Sequence, residues 1–191
     1  MTAPTRLRPA EVSDLPFILR KELEYMKTVE PDAHQGWLAA LDLNLEFWIE
    51  CLPRTLFCVD DDGRQLGYAM WTLEGDSATL ASIHILDSHR RRGLGRLLLE
   101  AFEQSAHPTG ARVAKLGVHR NNQARLLYEA AGYEATGRDG DYVLFSKALG
   151  DPPNLLHAHP YFTSVKRVPS GSDRAERSMG SGSAAPIPTS E

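Results

Sequence analysis

The sequence predicts one α/β domain of the α+β type, and three observations carry that expectation. The chain has 191 residues and is 42% hydrophobic, enough to bury one good core. Short runs that alternate apolar and polar residues recur between longer stretches with apolar residues at i, i+3, i+4 and i+7, so both strands and amphipathic helices are present. In mid-chain a strand-like run, 77–86, leads through a Gly-x-Gly turn into a helix starting at Leu94.

In chain order, Arg6-Leu7-Arg8 reads as a short edge strand. Ser13-Asp14 offers an N-cap before Leu15, Ile18, Leu19, Leu23 and Met26, the stripe of a first amphipathic helix. A Pro31-Asp32-Ala33-His34 break leads to a second helix with Leu38, Leu41, Leu45, Trp48 and Ile49 on one stripe. Two strands, 55–59 and 65–73, flank Asp60-Asp61-Asp62-Gly63, a turn with an evident glycine position. The three aspartates read as a solvated hairpin tip, since no further metal-ligand spacing follows them. Within 77–86, Ala81, Ile83 and Ile85 alternate with Ser82 and His84. The helix after the glycines carries Leu94, Leu97, Leu98, Ala101 and Phe102 on one face. A strand through Val118 precedes a helix with Ala124, Leu127, Tyr128 and Ala131 on one face, which Gly132 is placed to end in a left-handed cap. A final strand spans 142–146. The domain is expected over 1–149. A C-terminal extension follows over 150–191, and from 169 its Ser, Gly, Ala and Pro content predicts disorder. His157 and His159 lack a second ligand cluster, so no metal is expected.

The stretch His89-Arg90-Arg91-Arg92-Gly93-Leu94-Gly95-Arg96 packs four arginines around two glycines between a strand's end and a helix's start. A helix N-terminus leaves backbone N–H groups without intrahelical partners and puts the positive end of the helix dipole behind them. Glycines let a ligand approach the backbone, and arginines add forked donors. Such a site suits a phosphate or pyrophosphate. A nucleotide P-loop needs Gly-Lys-Ser/Thr, whereas Gly95 is followed by Arg96-Leu97; a dinucleotide fingerprint needs a third glycine where Leu98 stands.

The order Arg90-x-x-Gly93-x-Gly95 resembles the acyl-coenzyme A pyrophosphate loop of the GNAT superfamily of N-acetyltransferases. Downstream, Leu116-Gly117-Val118-His119-Arg120-Asn121-Asn122, then Leu127-Tyr128-Glu129 and Gly132-Tyr133, is similar to the family's second motif. Three residues separate Val118 from Asn122, the family's spacing from the strand, while Tyr128 lies seven positions after Asn121, the family's spacing to the tyrosine. One residue is missing relative to the family, and either asparagine can hold the motif position. The resemblance covers roughly 5–148. It implies a GNAT-like mixed, mostly antiparallel twisted sheet of six to seven strands flanked by about four helices. It also implies acetyl-CoA as co-substrate, with Arg90, Arg91, Arg92, Gly93, Leu94, Gly95 and Arg96 at its pyrophosphate. The backbone of Ile83, His84 and Ile85 would hold the pantetheine arm, and Asn121 or Asn122 and Tyr128 would line it. Tyr128 stands where the family's general acid stands. The general base has no such counterpart, because Thr79 and Leu116 occupy the positions where relatives carry a glutamate. His84, His119 and Glu74 remain, with His84 in the right neighbourhood and an unperturbed imidazole pKa of ~6.5 suited to the task; a water chain is the alternative.

Charge and composition narrow the class further. Residues 1–62 hold 12 acidic against 6 basic side chains, and 63–149 hold 9 against 11. A basic coenzyme half fits a phosphorylated ligand, and an acidic N-terminal half fits a cationic, amine-bearing acceptor. No strongly basic face for nucleic acid and no membrane-length apolar run is present. Cys51 and Cys58 sit among apolar neighbours and read as buried thiols of a reducing compartment, so a cytoplasmic location is expected. The expected activity is acetyl transfer from acetyl-CoA to an amine of a small molecule or protein, with a homodimer left open. The alternative is a coenzyme A-binding regulatory module without turnover.

Overall fold

A computed structural model of the chain describes residues 5–150. The expected C-terminal extension and its His157 and His159 lie outside the described residues. Seven strands form one sheet: β1 (Arg6–Pro9), β2 (Thr55–Val59), β3 (Gln65–Glu74), β4 (Ser77–Ile85), β5 (Val113–His119), β6 (Glu134–Asp139) and β7 (Tyr142–Ala148). Their spatial order is β1-β2-β3-β4-β5-β7-β6, and every neighbouring pair is antiparallel except β4 with β5. Five helices accompany them: α1 (Leu15–Thr28), α2 (His34–Ala39), α3 (Leu41–Cys51), α4 (Leu94–Ala106) and α5 (Arg125–Ala130). The mixed, mostly antiparallel sheet is as expected; none of the described helices is long and apolar enough to cross a membrane.

The helices divide between the two faces. On one face Phe17 and Ile18 of α1 and Trp48 and Cys51 of α3 pack on Phe57, Tyr68, Met70 and Ala81. On the other, Leu94, Leu98, Leu99 and Phe102 of α4 and Tyr128 of α5 pack on Leu80, Ile83, Ile85, Leu116 and Phe145. Cys51 and Cys58 are buried free thiols, and burial pushes both up to about 11. An ion pair ties β1 to the turn before α1: Arg8 donates twice to the Asp14 carboxylate at 2.7 Å, which also accepts from Gln65 of β3 and from the Glu11 N–H. Burial alone would raise the Asp14 carboxyl, but those donors outweigh it and hold it below its ordinary value.

Three elements depart from the sequence expectation. The single second helix is two, because the backbone leaves helical geometry at Ala40 (φ −104°, ψ 22°). Trp48 is buried as expected, but Leu38 and Ile49 of the expected stripe are exposed. Strand β6 was not anticipated: every one of its residues is exposed, so it carries no apolar alternation to read. On α1 the buried face is Phe17, Ile18, Glu22, Tyr25 and Met26, which puts a carboxylate in the middle of the stripe.

The feature that shapes the site lies in β4. Met70 of β3 is in register with Ser82, and Trp71 with Leu80, so Ala81 is an extra residue, a β-bulge. The parallel ladder between β4 and β5 runs only from Ser77↔Val113 to Leu80↔Leu116. Beyond that point both strands continue, to Ile85 and His119, without a shared register, and the sheet opens between them. Under the open arm of β4, Gly67 of β3 approaches so closely that a Cβ there would stand 2.2 Å from the His84 carbonyl oxygen and 2.6 Å from Ile85 Cδ1. Gly67→Ala must therefore displace β4. It is expected to cost about 3 kcal/mol, the upper end for overpacking. Urea denaturation checks this: the midpoint should fall with an unchanged slope, whereas an unchanged midpoint would mean β4 yields freely.

Candidate active site

Chain direction and glycine geometry build the first part of the site. The connection from β4 to α4 curls through two left-handed residues, Arg91 (φ 61°) and Gly93 (φ 81°), the second serving as the N-cap of α4. Leu97 N–H bonds to the Gly93 carbonyl at 3.0 Å, so the amides of Leu94, Gly95 and Arg96 form the helix mouth. Arg90, Arg91, Gly93, Leu94, Gly95 and Arg96 line a cleft of about 240 Å³, closed on one side by Leu127 of α5. The expected loop residues thus come together, except that Arg92 does not line the cleft. Arg90 is braced by Asp87 at 2.9 Å and reaches the Ile85 carbonyl at 3.4 Å, which joins the loop to the open arm of β4. Arg96 pairs with Glu100 one turn along its own helix.

The open arm itself is the second part. Leu86 N–H bonds to the Leu66 carbonyl. By the alternation of antiparallel pairing, His84 then exchanges hydrogen bonds with Tyr68, its register partner. Ile83 and Ile85 therefore direct their backbone N–H and C=O groups toward the gap between β4 and β5. Their side chains go to the α4 face, into the same core as Tyr128.

Tyr128 lies on that face too, fully buried, with its ring 6.1 Å from Tyr133 and 6.5 Å from Phe145. Two hydrogen bonds fix the end of its helix: Tyr133 N–H to the Tyr128 carbonyl, and Gly132 N–H to the Glu129 carbonyl. This is a Schellman motif with Gly132 left-handed at φ 86°, the cap expected from sequence. The start of the helix separates the two asparagines. Asn122 Oδ1 accepts the Ala124 N–H at 2.9 Å and so shapes the turn into α5, whereas Asn121 is exposed and extends to the Val29 carbonyl.

On the opposite face, beneath α1, the structure gathers polar groups that sequence reasoning passed over. The Glu22 carboxylate, 2% exposed, accepts from Ser82 Oγ at 2.5 Å and from the Tyr68 hydroxyl, both at Oε1. Burial raises this carboxyl to about 7, the two hydroxyl donors working against the rise and Glu30 adding to it. His84, next but one to Ser82, stacks on Tyr68 with 6.2 Å between centroids. Burial, with the positive charges of Lys21 and Arg90, depresses it to about 3, so it is neutral at pH 7 and holds a proton poorly. A neighbouring group joins Tyr142, which donates to Glu30 at 2.5 Å, to Tyr25 and to His119, whose ring meets Tyr142 edge-on at 5.4 Å. Burial and the Glu30 charge put both tyrosines well above their ordinary value, so both hold their protons at neutral pH. The readable signal for Glu22 was its position: Ile18, Glu22 and Met26 repeat every four residues, so a carboxylate stands in register with the apolar stripe.

The gap between β4 and β5 thus has an arginine-lined helix mouth at its end, a buried tyrosine on one face and a buried carboxylate on the other. Comparison with known proteins agrees with this geometry. A family model described as an acetyltransferase (GNAT) domain matches residues 53–135. The L-methionine sulfoximine/L-methionine sulfone acetyltransferase of Pseudomonas aeruginosa is 30% identical over 143 residues, covering 69% of this chain and 81% of that protein. The [ribosomal protein bS18]-alanine N-acetyltransferase of Escherichia coli is 34% identical over 88 residues, 45% of this chain; the match spans only 60% of that enzyme's length. Among solved structures, the PaiA N-acetyltransferase of Thermoplasma acidophilum in complex with coenzyme A superposes with a TM-score of 0.65 at 18% identity. That superposition covers 76% of this chain and 99% of that one, so the fold is shared. Sequence similarity along most of the chain and a common fold lead to one assignment: the chain belongs to the GNAT family of acetyltransferases.

Proposed function

We propose that this chain is an acetyl-CoA-dependent N-acetyltransferase that transfers acetyl to a primary amine by direct attack on the thioester. The observation that carries the reading is the end of the β4–β5 ladder at Leu80↔Leu116, directly followed by a glycine loop at a helix N-terminus. Acetyl-CoA supplies the activated acetyl group. The amides of Leu94, Gly95 and Arg96 and the arginines of the loop bind its pyrophosphate, backbone donors setting position and side chains adding charge. The strand edge at Ile83 and Ile85 takes the pantetheine arm as a further strand would be taken, with Asn122 and Leu127 along the opposite wall. A backbone N–H there also faces the thioester oxygen, where a preorganised donor stabilises developing negative charge. Tyr128 protonates the departing thiolate from the α5 face. His84 takes neither expected role: its backbone is paired with Tyr68 of β3 rather than turned to the gap, and a ring depressed to about 3 cannot keep a proton taken from an ammonium group.

The acceptor class follows from the relatives by name. One acts on alanine of a ribosomal protein and another on methionine sulfone or sulfoximine. L-methionine sulfone and an alanine-terminated peptide are therefore the first amines to test, with free thiol as the readout. Consumption of thioester that depends on the amine supports turnover. Coenzyme binding without any consumption would leave a coenzyme A-binding regulatory module.

Three substitutions test the assignment of parts. Gly95→Val places a branched side chain in the first turn of α4 and should weaken acetyl-CoA binding roughly tenfold or more, about 1.4 kcal/mol, without unfolding the domain. Arg92→Ala should lose less, and the loss should shrink with added salt. Unchanged affinity of a folded Gly95→Val protein in calorimetry contradicts the loop assignment. Tyr128→Phe keeps the ring and its packing but removes the proton. Acetyl-CoA affinity should hold while kcat falls by roughly 10²-fold, the lower end for a lost general acid because thiolate is a tolerable leaving group. Wild-type turnover with an unshifted alkaline limb would make Tyr128 a packing residue.

A further inference from the structure

We infer that Glu22 is the terminal acceptor of the proton lost by the attacking ammonium group, receiving it through the Ser82 hydroxyl on the α1 face of the gap. The inference rests on the N-acetyltransferase reading above and assigns the base that the sequence did not reveal. Three observations converge on it. Ser82 is one residue before Ile83, at the bulge where β4 leaves β5, so its hydroxyl lies beside the proposed thioester cradle. That hydroxyl already donates to Glu22 Oε1 at 2.5 Å, and the Tyr68 hydroxyl donates to the same oxygen. Tyr128 belongs to the core on the opposite face of the sheet. An amine entering from the α1 face therefore meets Ser82, while the thiolate leaves toward Tyr128, so the two proton transfers occur on opposite sides of the reacting carbon.

The step balances without another reactant. Ser82 Oγ takes a proton from the ammonium group as its own proton passes to Glu22 Oε1, leaving a neutral amine and a neutral carboxylic acid. The amine nitrogen then bonds to the acetyl carbon as the carbon–sulfur bond breaks. Thiolate takes the Tyr128 proton, and the proton on the new amide nitrogen passes to the Tyr128 phenolate and restores it, so one proton leaves per turnover. Glu22 returns its own proton to solvent before the next cycle. Glu22 acts through Ser82 and is thus a positioning residue in the proton path, while Ser82 touches the substrate. Titratable groups act on the carboxylate from several elements: Glu30 beyond α1, Tyr68 on β3 and Tyr142 on β7, with Tyr25 of α1 acting on Glu30 and Lys21 of α1 acting on His84 of β4. Of these, Tyr25, Tyr68 and Tyr142 sit above their ordinary range and keep their protons, and His84 sits too low to compete. Glu22, raised to about 7, is matched to taking and releasing a proton near neutral pH.

The sign for activity follows directly. The carboxyl must be ionised to accept, so kcat/KM should fall as pH drops below about 7. Profiles are measured with acetyl-CoA and with L-methionine sulfone or the alanine-terminated peptide for the wild type, Glu22→Gln and Ser82→Ala. Glu22→Gln should lower kcat at pH 7 by roughly 10²-fold or more with acetyl-CoA affinity unchanged. Its deficit should close as pH rises toward the acceptor amine's own pKa, where the amine arrives already neutral. Ser82→Ala should behave alike, and it decides the matter if Glu22→Gln fails to fold. A Glu22→Gln rate equal to wild type with an unmoved acid limb overturns the inference, as does a loss of the same size at every pH. A wild-type protein that binds acetyl-CoA but consumes none with either amine overturns the N-acetyltransferase reading and this inference with it. That result is distinct from a wild type that turns over and variants that do not differ.

Discussion

One extra residue in β4 governs the architecture of the site. With Ala81 inserted opposite the Met70–Trp71 step of β3, the strand twists away from β5 after Leu80, and the one parallel pair among the described strands stops after four residues. A bulge leaves a residue outside the ladder and bends the strand that carries it. Here the bend sends Ile83 and Ile85 into the α4 core while Ser82 joins the α1 side, where it reaches Glu22. Gly67 lets β3 follow the bent strand, because any side chain at that position would collide with the His84 carbonyl. The backbone groups aimed into the gap are thus held by two neighbours of very different kind: a tight antiparallel strand below and a helix mouth at the end.

The electrostatics of the α1 face come from burial acting on groups of opposite sign. A carboxyl removed from water is pushed up and an imidazole is pushed down, because in each case the charged form loses hydration. Glu22 and His84 show both outcomes within one cluster. The stability consequences oppose each other. Glu22 is raised from 4.5 to about 7, so its contribution is complete below about 4.5 and is lost as pH rises through 7, a cost of about 3 kcal/mol at alkaline pH. His84 is lowered from 6.5 to about 3, so its contribution is complete above about 6.5 and is lost as pH falls toward 3. A core hydrophobe in place of Glu22 would remove that alkaline penalty.

What was legible in the sequence followed from local rules. The Gly93 turn, the α4 stripe, the Gly132 cap and the Asp60–Gly63 hairpin each depend on residues close together in the chain, and each is found in place. The illegible parts depend on partners far away. Strand β6 has no buried residue and exists because β7 offers a ladder. The face that α1 buries is set by hydroxyls on β3 and β4, 46 and 60 residues distant, which rotate Glu22 inward at the expense of Leu23. The bulge at Ala81 leaves the alternation of Ile83 and Ile85 intact and so gives no sign in the pattern. For the same reason the candidate site was half visible: its loop and Tyr128 stand in recognisable motifs, whereas Glu22, Tyr68 and Ser82 meet only through tertiary packing.

Coenzyme binding in the gap between β4 and β5 is tested most directly by a crystal structure of the protein with coenzyme A. It should show the pyrophosphate on the amides of residues 94–96, about 3 Å away, and the pantetheine amides paired with the backbone of Ile83 and Ile85. The sulfur should lie between Tyr128 on one face and Ser82 on the other. Pantetheine lying outside the gap, or a sulfur out of reach of both hydroxyls, would contradict the account.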